Sequence, residues 1–184
     1  MNIEKIETGI PGCFELISRS IVDSRGTFQK VYQKDCFEKL GLFSEWVEQY
    51  YSISNYGVVR GMHFQRPPYD HAKLVFCTSG EVVDVAVDLR VDSPTYGRYA
   101  KIVLGAAKEN MVYIPSGFAH GFLVISKQAT LVYNVSSGYM PTHDSGIRWD
   151  SVGVDWPGEP THISERDQKF EPLSEFHSPF LYSK

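Results

Sequence analysis

The sequence predicts an all-β protein, a sandwich or barrel with brief helices, and three observations carry that reading. From residue 46 onward, short β-branched and aromatic runs follow one another closely: EWVEQYYSIS, VVRGMHF, KLVFCTSG, EVVDVAVDL, YAKIVLG, NMVYIP, GFLVIS, ATLVYNVSS and GIRWD. Turn formers separate them, among them Ser79-Gly80, Asp92-Ser93-Pro94 and Pro115-Ser116-Gly117. The 11 Tyr, 11 Phe and 3 Trp suit pleated, half-buried surfaces and ring-stacking sites.

The elements follow in order. Residues 1 to 45 hold extended pieces at Cys13 to Ile17 and Thr27 to Tyr32 around the turn Asp23-Ser24-Arg25-Gly26, then a short helix in KDCFEKLGL stopped by Gly41. A strand-rich core spans about 46–156. Within it EVVDVAVDLR alternates, with Val83, Val85, Val87 and Leu89 on one face and Asp84, Ala86 and Asp88 on the other, and the acidic face is expected to be solvated. The tail, 157–184, is polar and Pro-rich, with ISERDQKF the segment expected to fold back. At 184 residues a single domain suffices, burying roughly 70% of the surface of its unfolded chain.

A net charge of −4 lacks the clustered basic excess of a nucleic-acid or membrane-surface binder, so neither partner is expected. The charged start MNIEKIETGI and the lack of any 18-residue apolar run predict a cytoplasmic protein. Cys13, Cys36 and Cys77 have no metal spacing and read as free thiols, Cys77 buried in its strand.

One stretch, VVRGMHFQRPPYDHAKLVFCTSGEV, carries more titrating and anion-binding groups than a core strand needs. Its spacing resembles the first motif of metal-binding cupins, a glycine, five residues, two histidines flanking one residue, then a glutamate seven positions before another glycine. Here Gly57 leads to His63, but Gln65 holds the second histidine position and Lys73 the glutamate position; the second motif survives as Pro115, Gly117 and His120. A lysine in the ligand set repels a divalent cation, so no metal is expected. Lys73 instead offers a fixed positive charge where an oxyanion could develop.

VVRGMHFQ, KLVFCTSGEVVDVAVDLRVDSPTYG, IPSGFAHGFLVIS, GIRWD and VGVDWP together resemble the dTDP-4-dehydrorhamnose 3,5-epimerase family of cupins, over residues 8 to 170 or so. The resemblance implies a cupin-type double-stranded β-helix, or jelly roll, that is homodimeric and acts on nucleotide-linked 4-keto-6-deoxyhexoses with no metal or organic cofactor. It places the catalytic base on His63, its aspartate partner on Asp167, the acid on Tyr133 and the oxyanion lysine on Lys73. Substrate contacts fall on Arg25, Arg60, His120 and Arg166. Two family positions depart from the usual types: Lys30 replaces a glutamate, and Glu48 and Tyr50 replace a Gln-x-Asn pair.

The chemistry suits these residue types. Carbons flanking a ketone are acidic because the carbanion delocalises onto oxygen, so inversion needs a base, an enolate stabiliser and an acid on the opposite face. Lysine is donor-only, so Lys30 loses a contact with thymine N3–H and admits cytosine; the nucleotide is read as dTDP or CDP. Whether C3, C5 or both invert stays open. So do two other functions, a 3,4-ketoisomerase and a noncatalytic sugar-nucleotide-binding cupin. His71, His143, His162 and His177 carry no site role in this reading.

Overall fold

A computed structural model describes residues 2–183 of the chain. Strands β1 (Ile3–Glu7) and β2 (Phe14–Ser18) precede a small hairpin, β3 (Ile21–Asp23) and β4 (Gly26–Phe28), and helix α1 (Lys34–Lys39). The core strands are β5 (Glu48–Asn55), β6 (Val59–Gln65), β7 (Lys73–Ser79), β8 (Glu81–Asp88), β9 (Tyr99–Gly105), β10 (Asn110–Ile114), β11 (Phe118–Val124), β12 (Gln128–Val135) and β13 (Asp144–Gly146). A single turn, α2 (Glu165–Gln168), follows in the tail.

These strands form a six-stranded sheet, β1-β2-β10-β7-β12-β5, and a five-stranded sheet, β13-β6-β11-β8-β9. Their pairings are antiparallel throughout. The non-consecutive order is that of a jelly roll, as expected. Between the sheets lies a core that includes Val75, Val82, Leu104, Phe122 and Leu131. Strand alternation sends Leu74 and Phe76 of β7 to the outer side of the six-stranded sheet, against Phe37 of α1.

The outer face of the five-stranded sheet is also covered. Val83, Val85, Val87 and Leu89 pack with Phe176 and Phe180 of the tail. This corrects two expectations. The Asp84 and Asp88 face of β8 is not solvated: it turns inward, with Asp84 1% and Asp88 0% exposed, because the tail takes the valine face. The fold-back also extends beyond ISERDQKF, since it delivers the two phenylalanines. Asp88 is satisfied by Arg90 Nε and Nη2, each at 2.8 Å, and by the hydroxyls of Ser93 and Thr95 at 2.6 and 2.7 Å. Two smaller differences concern strands. IEKIE forms β1, which its charges concealed, and only the first residue or two of GIRWD adjoin the short β13. Cys77 is buried as expected.

Strands β6 and β11 approach unusually closely. Gly61, at φ +145°, and Gly121 face each other, and the register of the pair shifts between His120 and Phe122. That shift leaves His120 opposite His63, both in the inter-sheet space. A Cβ on Gly121 would sit 2.7 Å from Met62 Sδ, 2.8 Å from Arg60 O and 2.9 Å from Gly61 Cα. Gly121→Ala is therefore expected to destabilise the fold by about 1–3 kcal/mol in urea titration, the usual cost of overpacking. A loss below about 0.5 kcal/mol, the ordinary scale of a surface change, would show that the strands separate freely.

Candidate active site

One end of the inter-sheet space opens into a cavity of about 430 Å³. The five-stranded sheet contributes Arg60, His63 and Gln65 from β6 and His120 from β11; the six-stranded sheet contributes Lys73 from β7, Tyr133 from β12, and Glu48, Tyr50 and Ser52 from β5. Tyr139, Asp144 and Arg166 stand with them in the lining. The inward period of each strand puts these side chains on the lumen side.

His63 is held by Asp167. The imidazole Nε2 lies 2.8 Å from the carboxylate, whose second oxygen accepts the Gly61 backbone N–H at 3.2 Å. Ser164 caps α2 by accepting the Asp167 N–H at 3.1 Å, which fixes the turn that presents the acid. Burial pushes the Asp167 carboxyl up, but the hydrogen bonds and the imidazole beside it outweigh that, so its pKa is lowered overall. A carboxylate only accepts, so the ring nitrogen facing it carries a proton, and in the neutral ring the opposite nitrogen is the one with the lone pair.

On the other sheet the Tyr133 hydroxyl lies 3.1 Å from Ser52 Oγ, and its ring stacks on Tyr50 at 4.8 Å. Burial drives the phenol pKa far upward, with the Asp84 charge adding to the effect, so Tyr133 stays protonated. Lys73 donates to the His63 carbonyl at 3.2 Å and is 6% exposed. His120 pairs with Asp84 at 2.8 Å; burial lowers its pKa despite that partner, and Lys73 and His63 push the same way.

Of the residues expected from sequence, His63, Lys73, Tyr133, Glu48, Tyr50, Arg60, His120 and Arg166 line this cavity, and Asp167 reaches it through His63. Glu48 accepts the Tyr139 N–H at 2.8 Å, and Arg60 donates to Ser54 Oγ at 2.9 Å. Arg25 and Lys30 do not line it. Arg25 sits in the exposed β3–β4 hairpin paired with Asp23, its side chain 88% exposed, and Lys30 is exposed just beyond it. Among the described residues no group of three or more His, Cys, Asp or Glu could hold a metal ion.

Several lining or supporting groups escaped the sequence reading, among them Asp84, His71, Ser52, Tyr139 and Asp144. The alternation of β8 did place Asp84 on one face with Ala86, yet the sense of that face depends on the distant tail. Tyr139 and Asp144 come from the segment after β12, where no local pattern marks an inward side chain. Tyr139 OH donates to Asp144 at 3.3 Å, and Arg166 closes the cluster with a 2.9 Å ion pair to Asp144.

A family model described as dTDP-4-dehydrorhamnose 3,5-epimerase matches residues 7–175. The dTDP-4-dehydrorhamnose 3,5-epimerase of Shigella flexneri is 39% identical over 176 residues, covering 92% of this chain and 96% of its own. The dTDP-4-dehydrorhamnose 3-epimerase of Streptomyces niveus is 40% identical over 163 residues, 87% of this chain and 79% of its own. Among solved structures, the dTDP-6-deoxy-D-glucose-3,5-epimerase from Legionella pneumophila, in complex with dTDP-4-keto-L-rhamnose, matches with a TM-score of 0.94. It is 32% identical and covers 99% of this chain and 100% of that one.

Burial lowers the Lys73 amine to about 8, only partly offset by the Asp144 and Asp84 charges. The unfolded amine titrates near 10.4. Below about pH 8 the amine is charged in both states and its burial cost is fully present. Between that value and about 10.4 the unfolded chain binds more protons, so stability rises with pH. At roughly 1.4 kcal/mol per unit, the cost is at most on the order of 3 kcal/mol. Lys73→Met is expected to be about 1–3 kcal/mol more stable than wild type at pH 7 in urea unfolding, and to lack the wild-type gain in stability above about pH 8. A less stable variant at pH 7 would mean that attraction to the two carboxylates exceeds desolvation.

Proposed function

The chain belongs to the dTDP-4-dehydrorhamnose 3,5-epimerase family, and from that membership we propose that it epimerises a nucleoside-diphosphate 4-keto-6-deoxyhexose at C3, C5 or both, through an enolate. One observation supports the chemistry above the others. An imidazole–carboxylate pair on one sheet and a protonated phenol on the other face the same cavity, with a buried amine between the strands that carry them.

His63 removes the proton from the carbon beside the ketone, and Asp167 stabilises the imidazolium that forms. The electron pair moves onto the carbonyl oxygen, where Lys73 meets the developing charge. Tyr133 delivers a proton to the opposite face of the same carbon, inverting it. A donor on one face alone would exchange the hydrogen and retain configuration. Arg60 and Arg166 offer positive charge to the diphosphate.

The same reading assigns the hairpin to a second copy of the chain. Ile21, Val22 and Phe28 on the hairpin are 66%, 72% and 62% exposed, and Tyr51 and Ile53 on the edge strand β5 are 68% and 52% exposed. Such a concentration of bare apolar side chains suits a protein interface. In a homodimer the hairpin would bring Arg25 to the diphosphate and Lys30 toward the base in the partner's cavity. The choice between dTDP and CDP then belongs to a contact made only in the dimer.

In D₂O with dTDP- and CDP-linked 4-keto-6-deoxyglucose, NMR of the wild type should show deuterium entering at C3, C5 or both. Uptake confined to a 3-keto product would indicate a ketoisomerase, and binding without uptake a noncatalytic protein. His63→Asn should lower uptake at every carbon by about 10²- to 10⁴-fold with nucleotide binding retained. Tyr133→Phe should lose inversion sooner than exchange; equal loss of both would remove Tyr133 as the opposite-face acid.

Shared sites make a second prediction. Arg25→Ala and His63→Asn chains, each nearly inactive alone, should regain about a quarter of wild-type activity when refolded together, because half the dimers are mixed and one of their two sites is intact. No recovery would place Arg25 outside the partner's site.

A further inference from the structure

The cavity lining contains an imidazole that the mechanism above does not use. His71 lies two residues before Lys73, and its Nε2 is shut from solvent with no protein hydrogen-bond partner. Its other nitrogen is engaged: Gln65 Nε2 lies 3.1 Å from Nδ1.

The protonation of the ring follows from its neighbours. Gln65 Oε1 accepts the Met140 backbone N–H at 2.6 Å, and a backbone N–H only donates, so the Gln65 amide cannot turn over without losing that bond. Its NH₂ group therefore faces His71 Nδ1 at 3.1 Å together with the Tyr69 and Gly138 carbonyls, and a hydrogen on Nδ1 would set two donors against each other, so Nδ1 is the acceptor. The Tyr69 carbonyl, whose hydrogen bond to the ring is the smallest influence on it, already accepts from Gln65 at 2.8 Å and from Ser137 at 2.7 Å, one donor for each lone pair. It therefore competes only weakly for a proton on Nδ1. Burial, with Lys73 and His120 pushing the same way, lowers the ring pKa to about 3, so His71 stays neutral through the working range of an enzyme. A neutral imidazole that accepts at Nδ1 carries its hydrogen on Nε2.

From this geometry, and resting on the function proposed above, we propose that His71 Nε2–H is a second donor to the carbonyl oxygen of the sugar, acting with Lys73 on the enolate. A buried N–H left without an acceptor is destabilising, whereas one aimed at a developing oxyanion strengthens as charge grows there. The neutral imidazole contributes this bond without adding a second cation beside Lys73. Gln65, which occupies a position where other cupins carry a metal-binding histidine, then has a distinct task as the residue that sets the tautomer of His71.

The test compares His71→Leu, which deletes the donor, with His71→Gln, whose amide NH₂ restores one at similar reach. Steady-state rates and deuterium uptake are measured with dTDP-4-keto-6-deoxyglucose, and dTDP affinity and thermal melting are recorded for each protein. His71→Leu is expected to lower kcat and uptake together by about 10- to 100-fold, with dTDP affinity within about threefold, and His71→Gln to recover most of the loss. Two results would overturn the proposal. Leu and Gln variants equally impaired in proportion to lost melting temperature would make His71 structural, and a Leu variant at wild-type rate would mean that the N–H makes no bond to the reacting sugar. Wild type that exchanges no carbon-bound hydrogen at all would remove the functional reading and this inference with it, whereas exchange in wild type that His71→Leu leaves untouched would remove this inference alone.

Discussion

The constraint on which the site depends is the burial of an ammonium group between two sheets. Lys73 is held at 6% exposure on a strand whose outward neighbours, Leu74 and Phe76, are core residues, so it cannot reach solvent without tearing β7 from α1. Its charge then governs its surroundings. Asp84 and Asp144 supply the opposing charge, the His63 carbonyl accepts a hydrogen bond, and His120 and His71, held toward their neutral forms chiefly by burial, are pushed further the same way. A low-dielectric lumen that buries an ammonium beside neutral donors is poor for folding and well suited to a reaction that creates negative charge on oxygen.

The second dependence runs through the tail. Phe176 and Phe180 cover the outer face of the five-stranded sheet, while the preceding α2 turn delivers Asp167 to His63. The backbone joins in, with His162 O accepting the Val59 N–H at 3.0 Å where the tail runs beside the start of β6. The same segment thus completes both a hydrophobic layer and the His63–Asp167 pair. Loss of its packing would release the imidazole that Asp167 holds, so in the proposed mechanism stability of the tail and competence of the base are one property.

Sequence reading succeeds here where the information is local. Alternation in EVVDVAVDLR located β8, and the spacing from Gly57 to His63 and from Pro115 to His120 located the two strands that meet at the close glycine contact. It failed where a face is defined by something far away in the chain. The acids of β8 read as solvated because nothing near them announces that Phe176 and Phe180 occupy the other side. His71 read as an ordinary polar residue because its partners, Gln65 of β6 and Ser137 of the segment after β12, converge on it from distant parts of the chain. Arg25 and Lys30 could be matched to substrate-contacting positions, yet a single chain leaves them on an exposed hairpin. Under the dimer proposed above, the missing term is a partner surface, which one chain's periodicity does not encode.

A two-sheet lumen also answers why this fold suits inversion of a carbon centre. Inversion needs a base and an acid that address opposite faces of one carbon, and a single sheet presents its inward side chains from one direction only. Here β6 and β12 belong to different sheets, so His63 and Tyr133 approach the lumen from opposite walls. Asp167 accepts from one nitrogen of His63, which in the neutral ring leaves the other as an acceptor, and Tyr133 keeps its proton because burial outweighs the Ser52 hydrogen bond and the Arg60 charge. Stacking on Tyr50 and the bond to Ser52 fix the phenol before any charge develops. In the mechanism proposed above, the acid is therefore in place but weak until an enolate forms opposite it, so that deprotonation by His63 would come first and reprotonation follow from the other wall.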